Sequence, residues 1–220
     1  MAELTPSRTS VPLGATDAGA APGRSPEPSP DPDGLAAVLA AAARGDEAAW
    51  RELVGRYARR VFALVRSRIR RADLAEEVTQ SVLVTVASKI RSGSYVERGA
   101  FESWLFRIAM NRTRDEARRL SRQAEPTDPE HFERDAAPPA ESAEGRESRQ
   151  TQAAALRGAM ARLSDADRAI IELRHHAGLS FAQIAAALDE PLGTLLARHH
   201  RALRKLKDML AGTITPETDP

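Results

Sequence analysis

The chain has 220 residues, 42% of them hydrophobic but only 4% aromatic, with 32 basic side chains against 31 acidic ones and no cysteine. That length accommodates one large domain or two small ones with linkers, and the lack of cysteine excludes disulfides and thiolate metal sites, as a reducing cytoplasm would suit. The longest apolar run, residues 35–43, falls far short of the roughly 20 residues that span a bilayer. It also follows a proline-rich leader without a basic start, so neither membrane insertion nor a secretory signal is expected.

The net charge of +1 hides strong segregation. Residues 34–120 carry +7 and residues 149–210 carry +4, whereas 1–33, 121–148 and 211–220 carry −3, −5 and −2. Basic blocks attract polyanions, and acidic segments between them stay off both.

In chain order, residues 1–33 are rich in Pro, Ala, Ser, Gly and Thr. They cannot bury enough apolar surface to offset ordering entropy and are expected to be a disordered leader. The first block, 34–120, opens its periodic pattern with Trp50, Leu53, Val54, Tyr57, Val61, Leu64 and Val65 at three- and four-residue steps, which predicts an amphipathic helix. A second helix is predicted over 72–90, where Leu74, Val78, Val82, Val86 and Ile90 recur at four-residue steps. Gly93 and Gly99 mark a loop, and a third helix sets Phe101, Leu105, Ile108 and Ala109 on one side. Residues 121–148 hold Pro126, Pro129, Pro138 and Pro139 amid acidic excess and are expected to be a flexible linker.

In the second block, 149–210, a helix is predicted over 152–162. Ser164 with Asp167 reads as a capping box for the next helix, and Ser180 with Gln183 for a short one ending near Leu188. The segment 189–193 then turns the chain into a final helix reaching about residue 210, before the tail 211–220. The fold class is all-α, with two small helical domains joined by a flexible linker.

Residues 178–207, GLSFAQIAAALDEPLGTLLARHHRALRKLK, have the layout of a helix-turn-helix: a capped short helix, a tight turn and a longer basic helix suited to the major groove. With Leu195, His199, Ala202, Leu203 and Leu206 inward, Ala197, His200, Arg201 and Arg204 fall on the opposite face. The segment FESWLFRIAMNRTRDEARRL crowds Asn111, Arg112, Arg114, Asp115, Arg118 and Arg119 into its second half. Arginine there also suits the helix dipole, but the Asn111 amide can read base edges.

These two segments resemble region 4 and region 2 of the extracytoplasmic-function sigma factors of bacterial RNA polymerase. GDEAAWRELVGRY is similar to the family's opening helix, and ADLAEEVTQSVLVTV to its polymerase-binding helix. The resemblance spans about 160 of the 220 residues. It implies a non-enzymatic initiation factor that needs no cofactor and has core RNA polymerase and promoter DNA as partners. An anti-sigma factor is a further partner in keeping with it. Leu74, Glu76, Glu77 and Gln80 would dock on the polymerase. Asn111, Arg112, Arg114, Asp115 and Arg118 would serve the −10 element, with the 91–100 loop near the melted strand. Thr194, Ala197, Arg198, His200, Arg201 and Arg204 would serve the −35 element. Ser81, Glu190, Leu196 and Ala197 depart from the family pattern. Ser81 replaces an acid, Glu190 an apolar turn residue, and Leu196–Ala197 a basic residue and a serine.

The pairs His175–His176 and His199–His200 lack a third ligand at metal spacing, so no metal site is expected, and His199 on the apolar face reads as a core residue. Trp50 and Trp104 are taken as core anchors. The chief rival is a helix-turn-helix regulator that never engages polymerase; it would need neither the polymerase-binding helix nor the asparagine–arginine cluster. An enzyme is the more distant rival, since no nucleophile elbow, phosphate loop or HExxH motif is present.

Overall fold

The computed structural model describes residues 32–123 and 143–211. The leader up to residue 31, the linker from 124 to 142 and the tail from 212 lie outside the described residues. Every regular element among those described is an α-helix: α1 (Pro32–Ala43), α2 (Glu47–Arg66), α3 (Ala72–Arg91), α4 (Phe101–Gln123), α5 (Ala143–Arg162), α6 (Asp165–His175), α7 (Phe181–Leu188) and α8 (Leu192–Ala211).

Local chemistry accounts for where these helices start. The Asp46 carboxylate accepts from the N–H groups of Ala48 (2.7 Å) and Ala49 (3.1 Å), satisfying two orphan donors at the head of α2. Glu97 does the same before α4, accepting from Gly99 and from Ala100 (3.1 Å). The Ser180–Gln183 capping box forms in full at α7, with Gln183 N–H donating to Ser180 Oγ (3.2 Å) and Ser180 N–H to Gln183 Oε1 (2.8 Å). At α6 only half of the expected box forms. Ser164 Oγ accepts from Asp167 N–H (3.1 Å), but the Asp167 carboxylate turns away to Lys205 Nζ at 2.7 Å.

Three boundaries differ from the sequence expectation. Helix α1 begins at Pro32, inside the predicted leader, with Leu35, Leu39 and Ala42 buried against the first block. Helix α4 continues to Gln123, and α5 starts at Ala143 rather than 152. Within α2, Val54 is 41% exposed although its spacing matched the apolar pattern.

One continuous apolar cluster runs from Leu35 in α1 to Leu195 in α8 and includes Ala169, Ile170 and Leu173 of α6 and Ile184 of α7. A smaller one joins Ala159 and Leu163 of α5 and its turn to Ile171, Ala202 and Leu206. Helix α6 therefore feeds both cores, and α7 packs directly on α4.

A row of arginines lines the seam between the blocks. Glu172, fully buried, accepts from Arg68 Nε (2.6 Å) in α2's trailing turn and from Arg168 Nε (2.5 Å) one helical turn before it. Arg168 also donates to the Ser67 carbonyl (2.6 Å). Arg60, lying over the Tyr57 and Phe106 rings, donates to Glu102 (2.5 Å) and to the Ala177 carbonyl (2.7 Å). That carbonyl precedes Gly178, whose φ of +68° favours glycine. Gln183 closes the group by donating to Glu102 (2.6 Å). Arg107 reaches from α4 to the carbonyls of Ala186 and Ala187, which end α7.

A buried carboxylate is tolerated because two guanidiniums neutralise and bond it, and removing one side of such an arrangement leaves buried charge without a partner. Glu172→Ala should therefore lower unfolding stability by about 3–5 kcal/mol, whereas Glu52→Ala, which breaks the exposed Arg56–Glu52 pair, should cost under about 1 kcal/mol. Urea unfolding followed by circular dichroism compares the two, and equal midpoints would contradict a structural role for the network.

Candidate nucleic-acid interface

The helix-turn-helix is built as its sequence suggests. Asp189 ends α7 in the left-handed conformation (φ 57°, ψ 47°), its N–H donating to the Ala185 carbonyl, and Pro191 precedes the first turn of α8. Asp tolerates this conformation better than most residues. On α8, Leu195, Ala202 and Leu206 face inward, while Thr194, Ala197, His200, Arg201, Arg204 and Lys207 are exposed.

Leu203, expected inward, is 39% exposed. Successive helical residues are about 100° apart, so a stripe centred on Leu195, Ala202 and Leu206 leaves Leu203 on its margin. Two cations of α8 bend back onto the protein. Arg198 pairs with Glu190 of the turn (2.7 Å) and Lys205 with Asp167 (2.7 Å). Arg201, Arg204 and Lys207 make no ion pair with the described residues, so the outer face of α8 keeps its positive charge.

The second half of α4 forms another polar surface. Asn111, Arg112, Asp115 and Arg118 are exposed. Arg114 is half-buried and paired with Asp165 of α6 at 2.9 Å. Asn111 and Arg114 line a shallow cleft whose other wall is Ala187, Leu188 and Asp189, so the end of the first helix of the helix-turn-helix stands over part of this surface. Beside it, in the loop before α4, Tyr95 stacks on Trp104 with ring centroids 4.1 Å apart, fixing Trp104 as a partly buried anchor.

Helix α3 buries Ala75, Thr79, Val82, Val86 and Ile90. Its opposite face shows Glu76, Glu77, Gln80 and Ser81 to solvent, with Leu74 half-buried at its edge. Val84, 68% exposed one turn beyond Gln80, belongs to this face too, and an apolar residue off the buried stripe was the only signal in the sequence.

Residues 53–123 match the family model described as sigma-70 region 2, and residues 159–208 the one described as sigma-70, region 4. The ECF RNA polymerase sigma factor SigE of Mycolicibacterium smegmatis is 36% identical over 190 residues, covering 84% of this chain and 70% of that one. The ECF sigma factor RpoE of Cereibacter sphaeroides is 34% identical over 179 residues, covering 81% and 96%. The chain belongs to the ECF sigma factors.

The same fold is found in CnrH, solved in complex with the cytosolic domain of CnrY. The TM-score is 0.62 and the identity 24%, covering 83% of this chain and 99% of that one. The sigma factor RpoE of Bartonella quintana, solved with the anti-sigma factor NepR, gives 0.53 and 24%, covering 73% and 96%. In this sigma factor the region 2 match spans most of α2 with α3 and α4, and the region 4 match runs from the end of α5 through α6 and the helix-turn-helix. No helix among the described residues is long and apolar enough to cross a membrane, and no group of three or more metal-ligating side chains is found among them.

His199 shows how region 4 is stabilised. Its ring lies 4.9 Å from Phe181 and 6.4 Å from His175, and its Nε2 is buried with no hydrogen-bond partner among the described residues. Burial above all, helped by His175 and Arg174, holds its pKa below the usual histidine value. The unfolded chain therefore takes up a proton at higher pH than the folded one. Stability that is present above the unfolded pKa is lost as pH falls through the folded value. The melting temperature should thus fall between pH 7.5 and 5.5 (about one unit either side of the ordinary histidine value), and His199→Leu should reduce that slope. Thermal melts at the two pH values would show it, and an unchanged slope would remove His199 as a cause.

Proposed function

We propose that this sigma factor docks on core RNA polymerase through the outer face of α3 and reads promoter DNA with two surfaces, the second half of α4 at the −10 element and the outer face of α8 at the −35 element. One observation carries the reading. The residues that a sigma factor would present to its partners stand mainly on exposed helix faces opposite the shared core, and the core does not need them. Glu76, Glu77 and Gln80 leave the buried side of α3 intact, and Arg201 and Arg204 do the same on α8.

The chemistry is binding without covalent change. On α4, the Asn111 amide suits a base edge, Arg112 and Arg118 suit phosphates, and Arg114 joins them once it leaves Asp165. Binding energy spent there stabilises an extruded base and an opened duplex. On α8, Arg201 is suited to bidentate reading of guanine, Arg204 and His200 to contacts alongside, and Ala197 with Leu196 to a thymine methyl. The functional units are residues 34–120 and 149–210, joined by the acidic linker. The protein works in the cytoplasm beside polymerase, and an anti-sigma factor is a further partner in keeping with the family.

Two measurements test this. Glu77→Lys combined with Gln80→Ala should abolish co-purification with core polymerase while helicity is retained; normal holoenzyme formation would move the docking surface elsewhere. In promoter binding over a salt series, Arg201→Ala should lose about 1–3 kcal/mol of discrimination at one −35 position. Arg204→Ala should weaken all sequences alike and flatten the salt dependence. If neither variant changes affinity or slope, α8 is not the DNA reader.

A further inference from the structure

Glu190 stands in the turn of the helix-turn-helix, a position where the family pattern has an apolar residue. Its carboxylate is largely covered, with the side chain 27% exposed, and holds Arg198 Nη1 at 2.7 Å across eight residues of chain. Its other oxygen, Oε2, is buried and has no hydrogen-bond partner among the described residues, so Arg198 is the group that keeps this carboxylate compensated. Arg198 lies on the flank of α8, between the buried Leu195–Ala202 stripe and the exposed Thr194 and Arg201. Arg201 is its neighbour one turn on. Released from Glu190, the Arg198 guanidinium could therefore reach the phosphate backbone beside the bases that Arg201 reads. Held by Glu190, its charge is neutralised and its side chain is directed to the turn.

Phosphate contacts raise affinity for every sequence, whereas specificity is the difference between right and wrong sites. We propose that Glu190 is a specificity-determining residue of the −35 interaction, holding Arg198 off the DNA backbone so that sequence-independent attraction is lowered while base reading by Arg201 is kept. Glu190 acts through Arg198 and is a positioning residue. The inference rests on the assignment of α8 as the −35 reader.

The test uses full-length protein assembled with core polymerase. The probes are a genomic fragment that supports run-off transcription and the same fragment with its −35 element scrambled, each titrated over a salt series. Glu190→Gln keeps a hydrogen bond to Arg198 but removes the neutralising charge, and Glu190→Val removes both. Both variants should bind the scrambled probe more tightly, by about threefold for one recovered phosphate contact, with a salt slope steeper by about 0.9. The ratio of promoter to scrambled affinity should fall. In an Arg198→Ala background the Glu190 substitutions should no longer steepen the slope. A change confined to stability would shift the melting temperature but leave the slope where it was. Glu190 variants with unaltered slope and ratio, alongside an Arg201→Ala that still weakens promoter binding, would overturn the inference and leave the −35 assignment standing. If Arg201→Ala is silent as well, the assignment of α8 itself fails. Weaker binding of both probes by Glu190→Gln would also overturn the inference, since Glu190 would then present Arg198 to DNA rather than withhold it.

Discussion

A carboxylate with no access to water sits where the two halves of this protein meet. Glu172 is tolerable there only because Arg68 arrives from α2's trailing turn and Arg168 from its own helix, each with a charge-assisted hydrogen bond. The arrangement ties the end of α2 to α6, and α6 in turn supplies apolar side chains to both cores. Alongside it, Arg107 and the Gln183–Glu102 bond hold α7 against α4, and so the helix-turn-helix against region 2. Hydrophobic burial holds the helices together, but it is non-directional, and the polar seam selects this register among those the apolar faces would allow.

Arginine serves two ends in the chain. Arg60, Arg68, Arg107 and Arg168 meet carbonyls and carboxylates within the protein, where a planar guanidinium can satisfy several acceptors at once. Arg112, Arg118, Arg201 and Arg204 extend from exposed faces. Arg114 and Arg198 stand between these groups, close to the proposed DNA surfaces yet paired with Asp165 and Glu190. The number of basic residues in the two segments thus overstates how many the folded molecule offers a polyanion, because several arginines are paired inside the seam.

The sequence carried the helix faces and the helix-turn-helix well, because these follow from local rules. Ser180 three residues before Gln183 became a capping box, and Leu195, Ala202 and Leu206 became one buried stripe. It carried margins poorly. Val54 and Leu203 fit a three- or four-residue step yet lie at the edge of their stripes, where a step alone cannot tell covered from open. Helix α1 was hidden in an alanine-rich run whose burial comes from the neighbouring helices rather than from any strong pattern of its own. The seam was invisible for a different reason. Periodicity shows that α2 and α6 have apolar faces, but Arg68 and Glu172 are 104 residues apart and nothing local announces their meeting. The same limit hid the pairing of Arg114, assigned to DNA from the sequence, with Asp165 of α6.

Helix α7 has only eight residues, a length at which a helix in water is marginal unless its ends are satisfied. Its start is self-sufficient, since Ser180 and Gln183 cap each other. Its finish is not, because the carbonyls of Ala186 and Ala187 are met by Arg107 of α4. An excised region 4 would therefore be an imperfect stand-in for region 4 in the intact chain. Its recognition helix would follow a shorter, more frayed predecessor, and DNA affinities measured on such a fragment would include the cost of re-forming a helix end that the whole protein already holds in place.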